Sequence, residues 1–361
     1  MVSAAEYVSV GHPDSTADAI ASYLLDEFIS HDPKTRFALE VQLKDHICNL
    51  AGEITSRWDP SNEEIADLVR EAIRKIGYRA EYAARWPDGA TLNADKVKVN
   101  NFIGQQSPDI AQGVDREGWG DQGIMMGMAT NEDGFDYLPR DIYFARRIGK
   151  ELYEAARDMA APIGLDIKTL VSLTNGLNAE QIIVAAPIIP GCEEMATTYI
   201  KKVVTDILAA HHYTCDEIII NGTGSYVIHS SIGDAGVVGR KLAVNFYGLN
   251  CPIGGGSPFG KDPTKADVTL NLYARYLSLN TVLYKKYNKI FTKIVCCIGL
   301  PEILVSQFDE NNNLIAQWSE EATPADLIRK LELGGQIKGT FFKMCTDGLF
   351  SIIDEIALAG D

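Results

Sequence analysis

The sequence predicts an α+β fold built from repeated strand and helix units. Pairs of segments with alternating polar and apolar residues are separated by segments whose apolar residues recur at helical spacing. Strand pairs that alternate with helices in this way indicate α+β units and not one doubly wound parallel sheet. The chain has 361 residues, of which 46% are hydrophobic, so it is long enough to bury two or three cores.

The predicted helices are marked by apolar stripes and by capping residues. The first follows Asp14, where apolar residues fall along one stripe, and it ends near Pro33. A second begins at a capping box formed by Ser61 and Glu64 and ends at Gly77. The remaining predicted helices span about 139–160, 193–210, 264–282 and 324–333.

The predicted strands are marked by alternation of apolar and polar residues. Phe37 to Leu43 alternate in this way, which indicates a half-buried strand. Residues 101–116 are polar and contain a turn, and they predict a long loop. The other predicted strands lie at about 47–55, 166–173, 217–221, 225–230, 241–247, 290–298 and 302–308.

The composition agrees with a cytoplasmic enzyme. The net charge of −16 argues against binding to duplex nucleic acid, because such binding depends on Lys and Arg that neutralise phosphates. The seven cysteines are odd in number and include no CxxC pair, which favours a reducing compartment over a disulfide framework. We expect no signal peptide and no membrane association, since the longest apolar run, IIVAAPIIP, is too short to span a membrane.

Residues 233–267 form the most informative segment, because charged side chains lie there among glycine turns. The run Gly254–Gly256 has no Cβ atoms and can lie close to a bound group. Backbone amides and cations directed at one point suit a polyphosphate, and carboxylates suit its counter-metal. The charged residues are Arg240, Lys241, Lys261 and Lys265 with Asp234, Asp262 and Asp267. The segment predicts a nucleotide triphosphate site, although any one charged pair alone is more often solvated surface.

Part of this segment nearly matches the P-loop pattern GxxxxGK[ST], from Gly255 to Asp262. Asp262 replaces the hydroxyl that would bind magnesium, and Pro258 disturbs the loop. No strand-to-helix entry of the right kind precedes the segment. The sequence therefore does not predict a P-loop, but a phosphate-facing role for Lys261 remains.

His12 and Asp14 precede a predicted helix N-terminus, where backbone amides favour anions. In that position His12 can donate a hydrogen bond to a leaving oxygen, and Asp14 can bind a metal. Alternatively, Asp14 is a simple N-cap and His12 is a turn residue.

Three further carboxylates are candidate site residues only because the other motifs accompany them. Asp166 and Lys168 are two residues apart on a predicted strand, so both point to the same face. Such a pair is usually a solvated ion pair. Glu40 faces the polar side of its strand and Glu53 ends the next one, so each alone would be assigned to the surface.

Together these pieces resemble one family, the S-adenosylmethionine synthetases, also called methionine adenosyltransferases. The resemblance extends to about residue 300, and its blocks occur in the family's order, which makes it far more specific than a lone glycine motif. The matching blocks are VSVGHPDSTADAI near the N-terminus, AGEITS at 51–56, GQQSPDIAQGVD at 104–115, GDQGIMMGMATNE at 120–132, NGTGSYVI at 221–228, GDAGVVGRK at 233–241 and GGGSPFGKDPTKAD at 254–267.

The resemblance implies a direct displacement reaction with ATP and L-methionine as substrates. The methionine sulfur attacks C5′ of ATP and expels the whole triphosphate, which is then hydrolysed to phosphate and diphosphate. Negative charge builds on the departing triphosphate, and cations and metals stabilise it. Two Mg²⁺ ions and K⁺ are the implied cofactors.

The resemblance also implies a role for each matching residue. His12, Lys168 and Lys261 would be catalytic, with His12 in contact with the departing O5′. Asp14 and Asp267 would bind magnesium, and Glu40 would belong to a potassium site. The implied ATP-binding residues are Asp166, Lys168, Tyr226, Asp234, Arg240, Lys241, Ser257 and Lys261. The implied methionine-binding residues are Glu53, Gln106, Asp234 and Lys265.

The implied architecture is three similar α+β domains, each sandwich-like, related by pseudo-threefold symmetry. We expect an N-terminal domain at 1–104, a gating loop at 105–117, a central domain at 118–225 and a C-terminal domain at 226–361. Each active site would lie between two subunits of a homodimer, and such dimers can pair into tetramers.

Several positions depart from the family pattern and keep other interpretations open. The departures are Ser15 for a lysine, Gln105 for a lysine, Gly222 for a proline, Ser225 for an arginine and Ala235 for a cysteine. Since lost cations weaken triphosphate binding, one alternative is a catalytically weak paralogue that binds ATP or regulates an active partner subunit. A kinase or phosphohydrolase is a third reading, but the sequence offers no nucleophile or base constellation for it. Most expected polar positions are retained, so the sequence favours an active enzyme.

Overall fold

The computed structural model describes residues 3–104, 118–174, 178–285, 287–335 and 338–359. Within these ranges the chain folds into three four-stranded sheets with helices packed against them. The predicted gating loop at 105–117 lies outside the described residues. In the described part of the chain, no helix has the length and apolar character needed to cross a membrane.

The elements follow in chain order. The strands are β1 (Ser3–Val8), β2 (Arg36–Lys44), β3 (Ile47–Thr55), β4 (Lys98–Gly104), β5 (Gly123–Thr130), β6 (Lys168–Leu173), β7 (Asn178–Ala185), β8 (Thr214–Ile220), β9 (Gly236–Val237), β10 (Lys289–Cys296), β11 (Glu302–Asp309) and β12 (Leu314–Glu321). The helices are α1 (Pro13–His31), α2 (Asn62–Ile76), α3 (Ala80–Ala83), α4 (Arg140–Arg157), α5 (Glu193–Ala210), α6 (Leu242–Asn245), α7 (Ala266–Lys285), α8 (Pro324–Lys330), α9 (Thr340–Thr346) and α10 (Ser351–Ala359).

Two of the sheets share one topology. Their strand orders are β9-β2-β3-β4 and β1-β6-β7-β8. In each, the first three strands are antiparallel and the last pair is parallel. A parallel neighbour needs a crossover connection, and α2 and α5 lie on the two connections. The third sheet, β5-β10-β11-β12, is antiparallel throughout, because β12 follows β11 directly as a hairpin.

One long helix lies on the corresponding two strands of each sheet. Helix α1 packs on β2 and β9, α4 packs on β1 and β6, and α7 packs on β5 and β10. The same arrangement therefore occurs three times, and the predicted α+β class with three similar units is confirmed. Each sheet takes its outer antiparallel strand from a distant part of the chain, namely β9, β1 or β5. The predicted domain boundaries at residues 104, 118 and 226 stay predictions.

Helix α1 is buried on nearly all sides, because β2, β9, α2 and α9 surround it. Its apolar residues Ile20, Leu24 and Leu25 are inaccessible or nearly so. Its polar residues Asp14 and Asp18 are also buried, at 2% and 1% exposure. Since a buried carboxylate requires hydrogen-bond partners, this helix must draw such partners from other parts of the chain.

The strongest sequence patterns correspond to observed elements. The predicted helices correspond to α1, α2, α4, α5, α7 and α8, and the predicted capping box at Ser61 is present. The predicted strands at 37–43, 47–55, 166–173, 217–221, 290–298 and 302–308 correspond to β2, β3, β6, β8, β10 and β11. Strands β1, β4, β5, β7, β9 and β12 were not predicted, since a short apolar run or a weak alternation does not identify a strand by itself.

Three predicted segments are wrong. Residues 225–230 form irregular chain, and Ser230 has a φ of 60°, which a strand does not contain. Residues 241–247 contain helix α6 instead of a strand, and Arg146 donates to the backbone oxygens of Asn245 and Phe246 at the end of that turn. The loop predicted at 101–116 begins too early, because β4 continues to Gly104 alongside β3.

Candidate active site

A cavity of about 450 Å³ lies where the N-terminus of α1, the start of β6 and residues 221–234 meet. Its lining includes the apolar side chains of Pro13 and Ile228. The predicted site residues in the lining are His12, Asp166, Lys168, Tyr226 and Asp234. A mixed apolar and polar lining of this kind suits a small organic ligand with a few directed hydrogen bonds.

His12 is the N-cap residue of α1, with extended backbone and 2% exposure. Its Nδ1 accepts a hydrogen bond of 3.2 Å from the backbone amide of Asp14. The ring proton therefore resides on Nε2. Burial is the largest cause that lowers the pKa of His12 to about 3, and the nearby positive charges of Lys168 and Lys241 contribute to the same shift. His12 is thus a neutral hydrogen-bond donor, and the alternative in which Asp14 is the N-cap is wrong.

Asp166 lies just before β6 and is 4% exposed. Its Oδ2 accepts a hydrogen bond of 3.0 Å from the backbone amide of Ser230, and its buried Oδ1 has no hydrogen-bond partner among the described residues. Burial raises the pKa of Asp166 to about 6, although the Tyr226 hydroxyl, the Ser230 amide and the charge of Lys168 act in the opposite direction. The interpretation of Asp166 and Lys168 as a solvated ion pair is therefore wrong.

Asp14 lies beside the cavity and connects α1 to the segment after β9. Its Oδ1 accepts from the amide of Val237 over 2.9 Å, and its Oδ2 accepts from Lys241 over 2.5 Å. Arg240 lies 3.8 Å from the same carboxylate. Burial by itself would raise the pKa of Asp14, but the hydrogen bonds from Lys241 and Val237 outweigh burial and lower the pKa.

A second carboxylate–lysine pair is formed by Asp267 and Lys261, whose charged atoms are 2.6 Å apart. Lys261 is held because residues 260–262 run along the edge of β2, where Leu39 donates to the oxygen of Gly260 over 2.8 Å. Gly256 packs directly on Asp267, since a Cβ there would lie 1.9 Å from Oδ1. Asp262 is buried and accepts from the amide of Phe37 over 2.9 Å, so it stabilises this edge.

A single carboxylate of this region could bind a metal together with the oxygens of a ligand. Among the described residues, no three His, Cys, Asp or Glu side chains are grouped as a metal site. Mg²⁺ needs no such group, because it commonly takes one or two carboxylates together with phosphate oxygens and waters. Asp14 and Asp267, each beside a lysine, match that donor set.

The other predicted residues lie outside the cavity lining. Glu40 and Glu53 are exposed on β2 and β3. Lys265 lies one residue before α7, and its amide donates to the oxygen of Asp262 over 3.0 Å. Ser257 packs beside Gly239, and Gln106 lies outside the described residues.

Sequence reasoning missed His229, which holds one wall of the cavity. Its Nδ1 donates to the oxygen of Val227 over 2.7 Å, and its Nε2 lies 2.8 Å from the Tyr82 hydroxyl and 2.9 Å from the Thr91 hydroxyl, either of which can donate to it. Burial lowers the pKa of His229 to about 4, so the ring is neutral. The sequence did not identify His229 as a site residue, because its hydrogen-bond partners Tyr82 and Thr91 are more than a hundred residues away.

Comparison with known families covers most of the chain. Residues 1–108 match the N-terminal domain of S-adenosylmethionine synthetase, residues 116–226 match its central domain, and residues 228–353 match its C-terminal domain. The likeness thus extends beyond residue 300, where the recognisable motifs end.

Individual relatives agree with the domain matches. The S-adenosylmethionine synthase of Zymomonas mobilis is 37% identical over 318 residues, which cover 83% of this chain and 78% of that protein. That of Wolinella succinogenes is 35% identical over 352 residues, which cover 91% and 88%. A solved structure described as an unusual S-adenosylmethionine synthetase from Campylobacter jejuni is 27% identical, with a TM-score of 0.84 over 99% of each chain. The chain therefore belongs to the S-adenosylmethionine synthetase family, the methionine adenosyltransferases.

Proposed function

We propose that the protein transfers the adenosyl group of ATP to the sulfur of L-methionine and then hydrolyses the released triphosphate to phosphate and diphosphate. The observation that carries this proposal is the neutral His12 at the cavity, directly beside the Asp14–Lys241 pair. A neutral donor next to cations suits a leaving group that gains negative charge, and family membership supports the same reaction.

The nucleoside part of ATP occupies the cavity in this proposal. Tyr226, Asp166 and Lys168 line it together with Asp234, and its volume of about 450 Å³ suits a ligand of nucleoside size. The hydrogen bond from the Ser230 amide holds Asp166 in one orientation before substrate binds. A fixed acceptor of this kind favours one orientation of the bound nucleoside.

The chemical step needs no general base, because the methionine sulfur is a neutral nucleophile. The barrier comes from charge that develops on O5′ and on the triphosphate as the C5′–O5′ bond breaks. His12 donates from Nε2 to the departing oxygen while Lys168 contributes positive charge. Since His12 is neutral near pH 7, it stabilises the oxygen by hydrogen bonding and retains its proton.

The triphosphate is bound by Arg240, Lys241 and Lys261 in this proposal. Lys241 and Lys261 pair with Asp14 and Asp267 in the structure described here, and a bound triphosphate would bring more negative charge to these ammonium groups than one carboxylate does. When the lysines turn to the triphosphate, an oxygen of each carboxylate becomes available to a metal. Bound Mg²⁺ supplies positive charge to the phosphate oxygens.

We assign K⁺ to Glu40, which follows the point where Lys261 pairs with Ala38 of β2. Methionine is assigned to Glu53, Gln106, Asp234 and Lys265, and Ser257 is assigned to ATP.

This chain would act as a homodimer whose sites combine residues of both subunits, and such dimers can pair into tetramers. Two observations support the dimer. Glu53 is exposed and lies outside the cavity lining, and apolar residues such as Phe102 and Ile124 are 68% and 52% exposed.

The seven unpaired cysteines support a cytoplasmic location.

Mass spectrometry of reaction products tests the proposal. Purified protein is incubated with ATP, Mg²⁺ and K⁺, with and without methionine. We expect S-adenosylmethionine, phosphate and diphosphate in equal amounts, and only when methionine is present. ATP binding without product would support the catalytically weak paralogue, whereas methionine-independent phosphate release would indicate a hydrolase or kinase.

A further inference from the structure

Two carboxylates of α1 hold the same neighbouring segment. Asp14 and Asp18 are one helical turn apart, so their side chains lie on one face. The amide of Val237 donates to Asp14 over 2.9 Å, and the amide of Gly239 donates to Asp18 over 2.7 Å. Arg240 and Lys241 follow directly, and Lys241 returns to Asp14. The backbone that carries both cations is therefore fastened to α1 at two successive points.

Behind this contact lies a small cavity of about 50 Å³, lined by Ser15, Asp18, Asn245 and Arg146 among others. Ser15 and Asp18 are 7% and 1% exposed. Among the described residues, Ser15 Oγ and Asp18 Oδ2 have no partner within hydrogen-bond distance. The cavity is large enough for ordered water, which would satisfy both atoms without altering the bond from Gly239.

We propose that Asp18 is a positioning residue for the phosphate-binding segment: it holds the Gly239 backbone so that Arg240 and Lys241 stay aligned with Asp14. This inference rests on the proposed function. Asp18 is separated from solvent and does not line the cavity assigned to ATP, so it acts through Gly239 and not on substrate. Its second oxygen has no hydrogen-bond partner among the described residues, and Asp18 lines the small cavity.

The chemistry of Asp18 suits this role. Burial raises the pKa of Asp18 to about 8, so below that pH the carboxyl carries a proton. A neutral carboxyl still accepts the Gly239 hydrogen bond, and its proton can be donated to water in the cavity. It adds no negative charge that would compete with Asp14 for Lys241.

The test compares three variants of the full-length protein. Asp18→Ala removes the acceptor for Gly239, whereas Asp18→Asn keeps an oxygen in the same place. Asp26→Ala is the matched control: Asp26 is on the same helix and accepts two backbone amides, from Phe341 and Phe342 over 3.1 and 2.8 Å, far along α1 from Asp14. The measurements are binding of magnesium tripolyphosphate by calorimetry and hydrogen exchange of the peptide that spans residues 236–246.

We expect Asp18→Ala to weaken tripolyphosphate binding by between about 10- and 100-fold and to accelerate exchange in residues 236–246. Asp18→Asn should recover binding to within about threefold of wild type, since the acceptor is kept. Asp26→Ala should bind as wild type does and should accelerate exchange in residues 340–347 instead. Wild-type affinity in Asp18→Ala, or equal loss in Asp18→Ala and Asp18→Asn, would overturn the inference. Failure of wild type to bind tripolyphosphate would instead contradict the proposed function.

Discussion

Lys241 donates a hydrogen bond to Asp14 over 2.5 Å and thereby joins the N-terminal helix to a residue 227 positions away. The side chain of Asp14 is 3% exposed, so its charge depends on Lys241 and on the amide of Val237. In our proposal both members of the pair exchange partners when a magnesium triphosphate binds. Substitutions at Asp14 and Lys241 can therefore separate a structural role of these residues from a role in binding the magnesium triphosphate.

Replacing Lys241 with Met keeps most of the side-chain volume and removes the charge. We expect a loss of about 1.5–3 kcal/mol in the free energy of unfolding, because a hydrogen bond between charged groups is lost. Added Mg²⁺ should recover part of this loss, since Asp14 is then free to bind it. Thermal unfolding across a Mg²⁺ titration measures both effects.

Lys202→Met is the control for this variant, because Lys202 pairs with Asp206 on the exposed face of α5. It should change neither the unfolding temperature nor the response to Mg²⁺. An identical Mg²⁺ response in Lys241→Met and wild type would count against Asp14 as a metal ligand.

Replacing His12 with Asn keeps an N-cap acceptor for the amide of Asp14 and removes the Nε2 donor. We expect kcat to fall by about 10²- to 10³-fold, as for loss of one donor to a developing oxyanion, with little change in ATP affinity. The unfolding temperature of the variant should stay close to that of wild type, because His and Asn can both accept the hydrogen bond from the amide at the N-cap of α1. Steady-state kinetics with calorimetric ATP binding measures this, and a kcat near wild type would exclude His12 from the chemical step.

Asp166 should make stability depend on pH. Its pKa in the folded protein is about 6, above the ordinary 3.8, so folding favours the protonated form. The stabilisation is complete below the ordinary pKa and is lost as pH rises through about 6. Relative to Asp166→Asn, wild type should therefore lose up to about 3 kcal/mol between about pH 4 and pH 6. Urea unfolding of both proteins across this range tests the sign, and a gain for wild type would contradict it.

Arg275 and Asp354 hold the C-terminal helix α10 against α7. Arg275 is fully buried, and it donates to both oxygens of Asp354 over 2.7 and 3.0 Å. Asp354→Ala leaves a buried guanidinium without its counter-charge, which should cost about 3–5 kcal/mol of unfolding free energy. Denaturant unfolding measures this loss.

The matched control is Glu151→Gln, since Glu151 forms an exposed pair with Arg147 on α4. Its stability should equal that of wild type. Equal stability of Asp354→Ala and Glu151→Gln would show that α10 does not depend on Arg275.

The sequence predicted those elements whose pattern is local. Helix α2 was recognisable because Ser61 and Glu64 cap it within three residues, and β2 was recognisable from its alternation. Residues 241–247 alternate like a strand, but contacts from Arg146 stabilise a helical turn there. Local pattern does not contain that contact, so the prediction failed.

The candidate site shows the same limit. Recognisable motifs identified His12, Asp14 and Lys241 as residues of interest. They did not reveal that His12 is neutral, because its pKa depends on burial and on Lys168. Asp18 gave no signal either, since its partner Gly239 is 221 residues away.

The central claim is that adenosyl transfer to methionine precedes breakage of the triphosphate. A rapid-quench single turnover with enzyme in excess over ATP, isotopically labelled methionine and Mg²⁺ tests it most directly. The account predicts that labelled S-adenosylmethionine and intact triphosphate appear together, before phosphate and diphosphate. Phosphate formed ahead of S-adenosylmethionine, or formed without it, would contradict the account.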